Sequence, residues 1–222
     1  MSDAASGGSA LRFGILLRVV ATVAALALWF WTQSLIGSRA PSAGIGDVLH
    51  NLFAGLNFYF GQHASAANAL LIVSSGFIDL FGLFLVAEWI FLGRSRAFLG
   101  LVLLLGLRQV MQALCALPAP PNMIWRYPGF PSLFVTYSVG NDYFFSGHTA
   151  IAVFGAIEVA RLRRQWLTAF ALSVVVFEVA TVLILRAHYT MDVFAGAVTA
   201  LWVAALCESI GPRIDRSLVI AK

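Results

Sequence analysis

Two short polar stretches stand at the mouths of apolar runs in this 222-residue chain. The first is Asn141-Asp142-Tyr143-Phe144-Phe145-Ser146-Gly147-His148-Thr149; the second is Arg186-Ala187-His188-Tyr189-Thr190-Met191-Asp192. His188 and Asp192 are four positions apart, a spacing that puts them on one face, a turn from each other, at the start of a helix. A carboxylate there can accept the proton on one ring nitrogen, which leaves the other nitrogen bare and more basic, as a nucleophile requires. His148, from a different segment, is the candidate proton donor. A group to attack phosphorus and an acid to protonate the leaving oxygen are the two parts that phosphoester cleavage needs. Positive charge for the phosphoryl oxygens can come from Arg108, inside an apolar run, and from Arg186, two residues before His188. Ser146 is positioned to cap a helix whose first residues, Gly147 included, present free backbone N–H groups to an anion. Asp142 and Tyr189, beside the catalytic positions, complete the candidate substrate contacts.

Other ionisable residues read differently. His50 and His63 suit an interfacial structural role, the imidazole being amphipathic. Glu88, Glu158 and Glu208 fall near segment ends beside arginines, and are expected to be solvated or paired. Asp79 and Glu178 sit deeper and are expected to make polar contacts between helices. No Cys/His spacing suggests a metal, and no cofactor is expected.

The elements that must position these residues follow from composition. Hydrophobic residues make up 60% of the chain and charged residues 11%, against roughly 25% charged in a soluble domain. Such a chain cannot cover itself with polar surface and reads as an integral membrane protein. Six apolar runs, at about 11–36, 66–92, 97–117, 142–160, 166–185 and 189–210, each suit the ~20 helical residues of one crossing. The expected fold is an all-α six-transmembrane helical bundle. Residues 1–10 are expected to be a disordered tail, 11–212 the catalytic unit and 213–222 a cytoplasmic tail; Gly211-Pro212 is the expected stop of the last span. The run at 11–36 also has the apolar core of a signal peptide, but is longer than such cores usually are.

Basic residues set the orientation. Arg12, Arg94, Arg96, Arg161, Arg163, Arg164, Arg213, Arg216 and Lys222 mark one set of ends; Arg39, Arg126 and Arg186 mark the other. The richer set is expected inside, with both termini cytoplasmic and both polar stretches facing outward. The net charge of +4 thus speaks to topology and not to nucleic acid. The expected partners are membrane lipids, and a homo-oligomer is compatible with the chain. A bacterial inner membrane, with the site toward the periplasm, suits its short tails.

Three stretches resemble the sphingomyelin synthases, within the wider group of type 2 phosphatidic acid phosphatases. Asp142 to Thr149 is similar to their Gly-Asp-Tyr-Leu-Phe-Ser-Gly-His-Thr motif. His188-Tyr189-Thr190-Met191-Asp192-Val193 is similar to their His-Tyr-Thr-x-Asp-Val motif. Leu107-Arg108-Gln109-Val110-Met111, with Leu117-Pro118-Ala119-Pro120 after it, resembles a third. Ala187 stands where the animal synthases carry Asp. The resemblance implies metal-independent chemistry through a phosphohistidine-type intermediate, with His188 as nucleophile, Asp192 orienting it and His148 as acid/base. It implies transfer of phosphocholine or phosphoethanolamine from a glycerophospholipid to ceramide or another lipid alcohol, releasing diacylglycerol. The same residues would serve a lipid phosphatase or a phospholipase-C-like hydrolase with water as acceptor. A non-enzymatic transporter would be expected to carry an internal repeat and broken helices, neither of which is evident.

Overall fold

A computed structural model of the chain describes residues 3–38, 45–137 and 143–220. Its helices are α1 (Asp3–Gly37), α2 (Val48–Leu52), α3 (Ala54–Gln62), α4 (Ala64–Leu92), α5 (Ser95–Leu114), α6 (Gly147–Ala160), α7 (Gln165–Ile184) and α8 (Thr190–Ile220). Among the described residues there is no strand. Five helical stretches are long and apolar enough to cross a membrane: Arg12–Leu35, Ala64–Leu92, Ser95–Leu114, Gln165–Ile184 and Thr190–Ser217. The remaining apolar helix, α6, has 14 residues and rises about 21 Å, less than the ~30 Å of a hydrocarbon core. The fourth run, expected to be helical from about residue 142, is not helical over residues 143–146; α6 begins at Gly147, where the Ser146 side chain accepts the Thr149 N–H and caps it.

The last run departs from expectation at its other end. Gly211-Pro212 does not stop α8, which continues with Pro212 inside it. Two contacts reward the continuation. The Asp215 carboxylate accepts the Ser95 N–H at 3.0 Å and so caps α5, and the Arg216 Nε donates to the Pro212 carbonyl at 3.2 Å. At the same end, Glu158 is nearly fully buried and accepts from both Arg96 and Arg161, while Arg161 also holds Glu208. Glu88 pairs with Arg94. The glutamates expected near segment ends are thus all paired with arginine.

α6 lies at the centre, packed on α4, α5, α7 and α8, while α1 leans on α4 and α5 from outside. Phe81, Leu104, Phe154 and Val203 are buried in the core. The segment between α5 and α6 is held to α4 by Asp79, whose carboxylate accepts from the Ser132 hydroxyl at 2.8 Å and from the Leu133 and Phe134 N–H groups at 3.0 Å. Asp79 is therefore a helix-to-loop tie instead of the helix-to-helix contact expected. Glu178, fully buried on α7, takes the Ser74 hydroxyl of α4 at 2.6 Å, as a contact between helices should.

Candidate active site

The two polar stretches meet through their backbones. The Ser146 N–H donates to the Asp192 carbonyl at 3.0 Å, which joins the start of α6 to the first turn of α8. That approach needs a glycine opposite: a Cβ at Gly196 would stand 2.6 Å from the Ser146 carbonyl oxygen. The start of α6 carries His148 in its first turn. His188 comes from the tight turn between α7 and α8, where the Ala187 N–H donates to the Val182 carbonyl at 2.8 Å and Arg186 takes a left-handed φ of 54°.

These constraints bring the rings of His148 and His188 to a centroid separation of 6.5 Å. Both open onto one cavity, lined also by Arg108, Trp125, Tyr143 and Gly147. The cavity holds about 30 Å³, room for about one water. A phosphoryl group requires it to widen. His188 Nδ1 donates to the Tyr143 carbonyl at 2.8 Å. A carbonyl can only accept, so that bond fixes the tautomer: Nδ1 carries the proton and Nε2 carries the lone pair. Asp192, expected to take this proton, stands 3.8 Å from Nδ1, beyond hydrogen-bond reach. Its Oδ2 accepts the Tyr189 N–H instead at 2.8 Å, and Oδ1 has no hydrogen-bond partner among the described residues. Asp192 is fully buried, so its charge acts on the imidazole at short range without a direct bond. The His148 Nε2 is likewise buried with no partner, and the ring meets the Trp125 ring edge-on at 5.1 Å.

The two arginines divide. Arg108 lines the cavity and its Nε donates to the Phe145 carbonyl at 3.0 Å. Gly147 leaves room for it, since a Cβ there would lie 3.0 Å from that Nε. Arg186 instead donates to the carbonyls of Pro121 and His50, each at 2.9 Å, and is not part of the cavity lining. It braces the turn that carries His188. Tyr189 is buried behind the site and stacks on His50 at 5.5 Å. Asp142 lies outside the described residues, as do Asn141 and Arg39 of the sequence reading.

Three residues ahead of the first polar stretch hold the turn that bears His188: His50, expected to be structural, with Asp47 and Asn57, for which no role was expected. His50 Nε2 donates to the His188 carbonyl at 2.9 Å. Asp47 caps α2 and also accepts the Thr190 N–H at 2.6 Å and the Thr190 hydroxyl at 2.7 Å. Asn57 donates to the carbonyls of Ile184 and Asn122. Together they fasten α2 and α3 to the turn bearing His188. The only sequence signal was the presence of polar residues in an aromatic-rich loop; the partners lie 65 to 143 positions away along the chain. His63, by contrast, bonds locally to the Tyr59 carbonyl. Among the described residues, no three His, Cys, Asp or Glu side chains gather as a metal ligand set.

A family model described as AtPDCT1/2 matches residues 47–209, from the Asp47 cap through both polar stretches. The chain is 24% identical over 166 residues to phosphatidylcholine:diacylglycerol cholinephosphotransferase 1 of Arabidopsis thaliana, an alignment covering 75% of this chain and 53% of that protein. It thus spans about half the length of the curated relative it matches. No solved structure matches the chain.

Proposed function

The chain belongs to the AtPDCT1/2 family, and on that footing we propose that it moves phosphocholine from a glycerophospholipid to a lipid alcohol within the membrane. The observation that carries the reading is the pair of imidazoles 6.5 Å apart on one cavity that Arg108 also lines. His188 Nε2, left unprotonated by the Tyr143 carbonyl, attacks phosphorus. The P–O bond to diacylglycerol breaks, and its oxygen takes a proton from His148. The acceptor hydroxyl then gives its proton to His148 and attacks phosphorus, and the N–P bond breaks. Each half-reaction returns what the other used, so one acid/base serves both. Arg108 and the N-terminus of α6 stabilise the charge on the phosphoryl oxygens. The buried Asp192 charge favours the cationic phosphoimidazole.

The relative's name pairs phosphatidylcholine with diacylglycerol, and diacylglycerol is the acceptor favoured here. Ceramide is the acceptor that the likeness to the sphingomyelin synthases implies, and kinship to the type 2 phosphatidic acid phosphatases rests on the same His/His/Asp set. In this reading α6 is a sixth, short span, residues 11–212 form the catalytic unit, both termini are cytoplasmic and the site faces the exoplasmic side. The chemistry needs no metal. A cavity lined by Trp125 and large enough for only about one water favours transfer over hydrolysis.

The test is reconstitution of purified protein in vesicles with phosphatidylcholine and a fluorescent diacylglycerol or ceramide, beside the His188→Ala variant. Fluorescent phosphatidylcholine, lost in the variant, is the expected product. Fluorescent sphingomyelin would assign ceramide instead, and free phosphocholine without either would make the protein a hydrolase. Transfer abolished by a chelator and restored by divalent metal would refute the mechanism.

A further inference from the structure

A second, larger cavity of about 290 Å³ lies on the far side of α5, between it and α1. Its lining is almost wholly apolar. The two threonines in it, Thr22 and Thr32, satisfy their hydroxyls on their own helix, at the carbonyls of Arg18 and Leu28. Neither hydroxyl calls for water, and hydrocarbon is what surrounds this face in a bilayer. On α5 the groove runs from Phe98 to Gln109, about 16 Å along the axis. Half of a ~30 Å hydrocarbon core is about 15 Å. Its upper end, at Gln109, is level with Arg108, the residue that enters the catalytic cavity.

Two buried polar atoms at that upper end have no partner among the described residues. They are the indole Nε1 of Trp29 and the amide Oε1 of Gln109, whose Nε2 is already given to Gln33 at 2.8 Å. Trp29 is only 5% exposed, so its unpaired donor carries a desolvation cost that a ligand acceptor would remove. The groove's side is open: Gly106 is exposed, and a Cβ there would meet nothing within 4 Å. The space is too small for another helix, which is about 10 Å across, but suits a single chain.

We propose that this groove holds one acyl chain of the reacting glycerophospholipid, with an ester carbonyl accepting from the Trp29 indole N–H while the phosphoryl headgroup lies at the depth of Arg108. The proposal rests on the functional reading above for the identity of the lipid. The site selects for chain length and keeps the lipid in register with His188.

Two measurements test it. In the first, purified protein in vesicles is illuminated with a phosphatidylcholine bearing a diazirine near one acyl terminus, and the labelled peptides are mapped. Labels within 22–32 and 98–109, lost in Gly106→Phe, are expected; their absence overturns the proposal. In the second, transfer is followed with dioleoyl and dihexanoyl donors. Gly106→Phe should raise the KM for the long-chain donor about tenfold and change that for the short-chain donor far less. Leu172→Phe, on the exposed face of α7, should shift neither. A label in the groove with equal effects on both donors would mean a bystander lipid and would also overturn the proposal. Trp29→Phe, which removes the donor along with part of the ring, should weaken binding of the long-chain donor severalfold and spare the short-chain donor. If wild-type protein transfers no headgroup at all, the functional reading fails, and the labelling alone then decides whether the groove binds an acyl chain.

Discussion

At the level of single residues, His188, the proposed nucleophile, is oriented by a backbone carbonyl and not by the carboxylate four positions along. The Tyr143 carbonyl holds Nδ1 at 2.8 Å, whereas Asp192 stands at 3.8 Å. The two carboxylate and imidazole substitutions should therefore differ in severity. His188→Ala removes the nucleophile and is expected to lower transfer by at least about 1000-fold. Asp192→Asn removes a neighbouring charge but leaves the tautomer fixed, so a loss of about 10- to 100-fold in kcat is expected, in line with one charge-assisted contact. Rates measured with one fluorescent acceptor check both. Equal losses would mean that the carboxylate takes the proton during turnover. Arg186→Lys should act on stability more than on turnover, because its guanidinium braces the turn at two carbonyls.

The element that decides whether His188 is in place is the short helix α2 with its Asp47 cap. Burial by itself would push the Asp47 carboxyl up, but the Thr190 N–H and hydroxyl, with the His50 N–H, favour the charged form and hold it below the ordinary carboxylate value. A depressed folded value means that the tie is fully present above the unfolded pKa, about 3.9, and is lost as pH falls through the lower folded value. Hydrogen exchange of residues 47–52 should thus stay slow down to about pH 4 and accelerate below it. Asp47→Asn should give fast exchange at every pH and a lower kcat, with less effect on KM. Between α5 and α6, the loop carrying Trp125 is pinned at Asp79 and lines the cavity. Trp125→Ala should admit water and raise free phosphocholine relative to transferred headgroup; the product ratio from one vesicle assay reports it.

For the molecule as a whole, the end bearing the two histidines and the arginine-rich end of the bundle are held by different means. The histidine end relies on backbone carbonyls and amides, the other on ion pairs. Glu158, with its side chain 1% exposed, joins α6 to α5 through Arg96 and also holds Arg161 at the end of its own helix. Glu158→Gln is expected to cost about 1–3 kcal/mol, moderated because Arg161 keeps Glu208 and both arginines are partly solvated. The melting temperature in detergent should fall while the pH profile of transfer stays unchanged, since the substitution lies at the end opposite the histidines.

The sequence by itself determined the helical class, the apolar runs and the set of residues able to do chemistry. Each of these follows from local composition: a chain 60% hydrophobic has to bury its backbone in helices within lipid, and the few polar residues left among the runs stand out. It also put Ser146 at a cap, because capping needs only the residues just after it. Only the tertiary structure decided which partner each polar group takes. That His188 leans on Tyr143, that Arg186 braces instead of lining the cavity, and that His50 and Asp47 fasten the turn bearing His188 all depend on main-chain groups brought from distant segments. A carbonyl acceptor is the same at every residue and leaves no mark in the sequence, so its choice is made by packing alone.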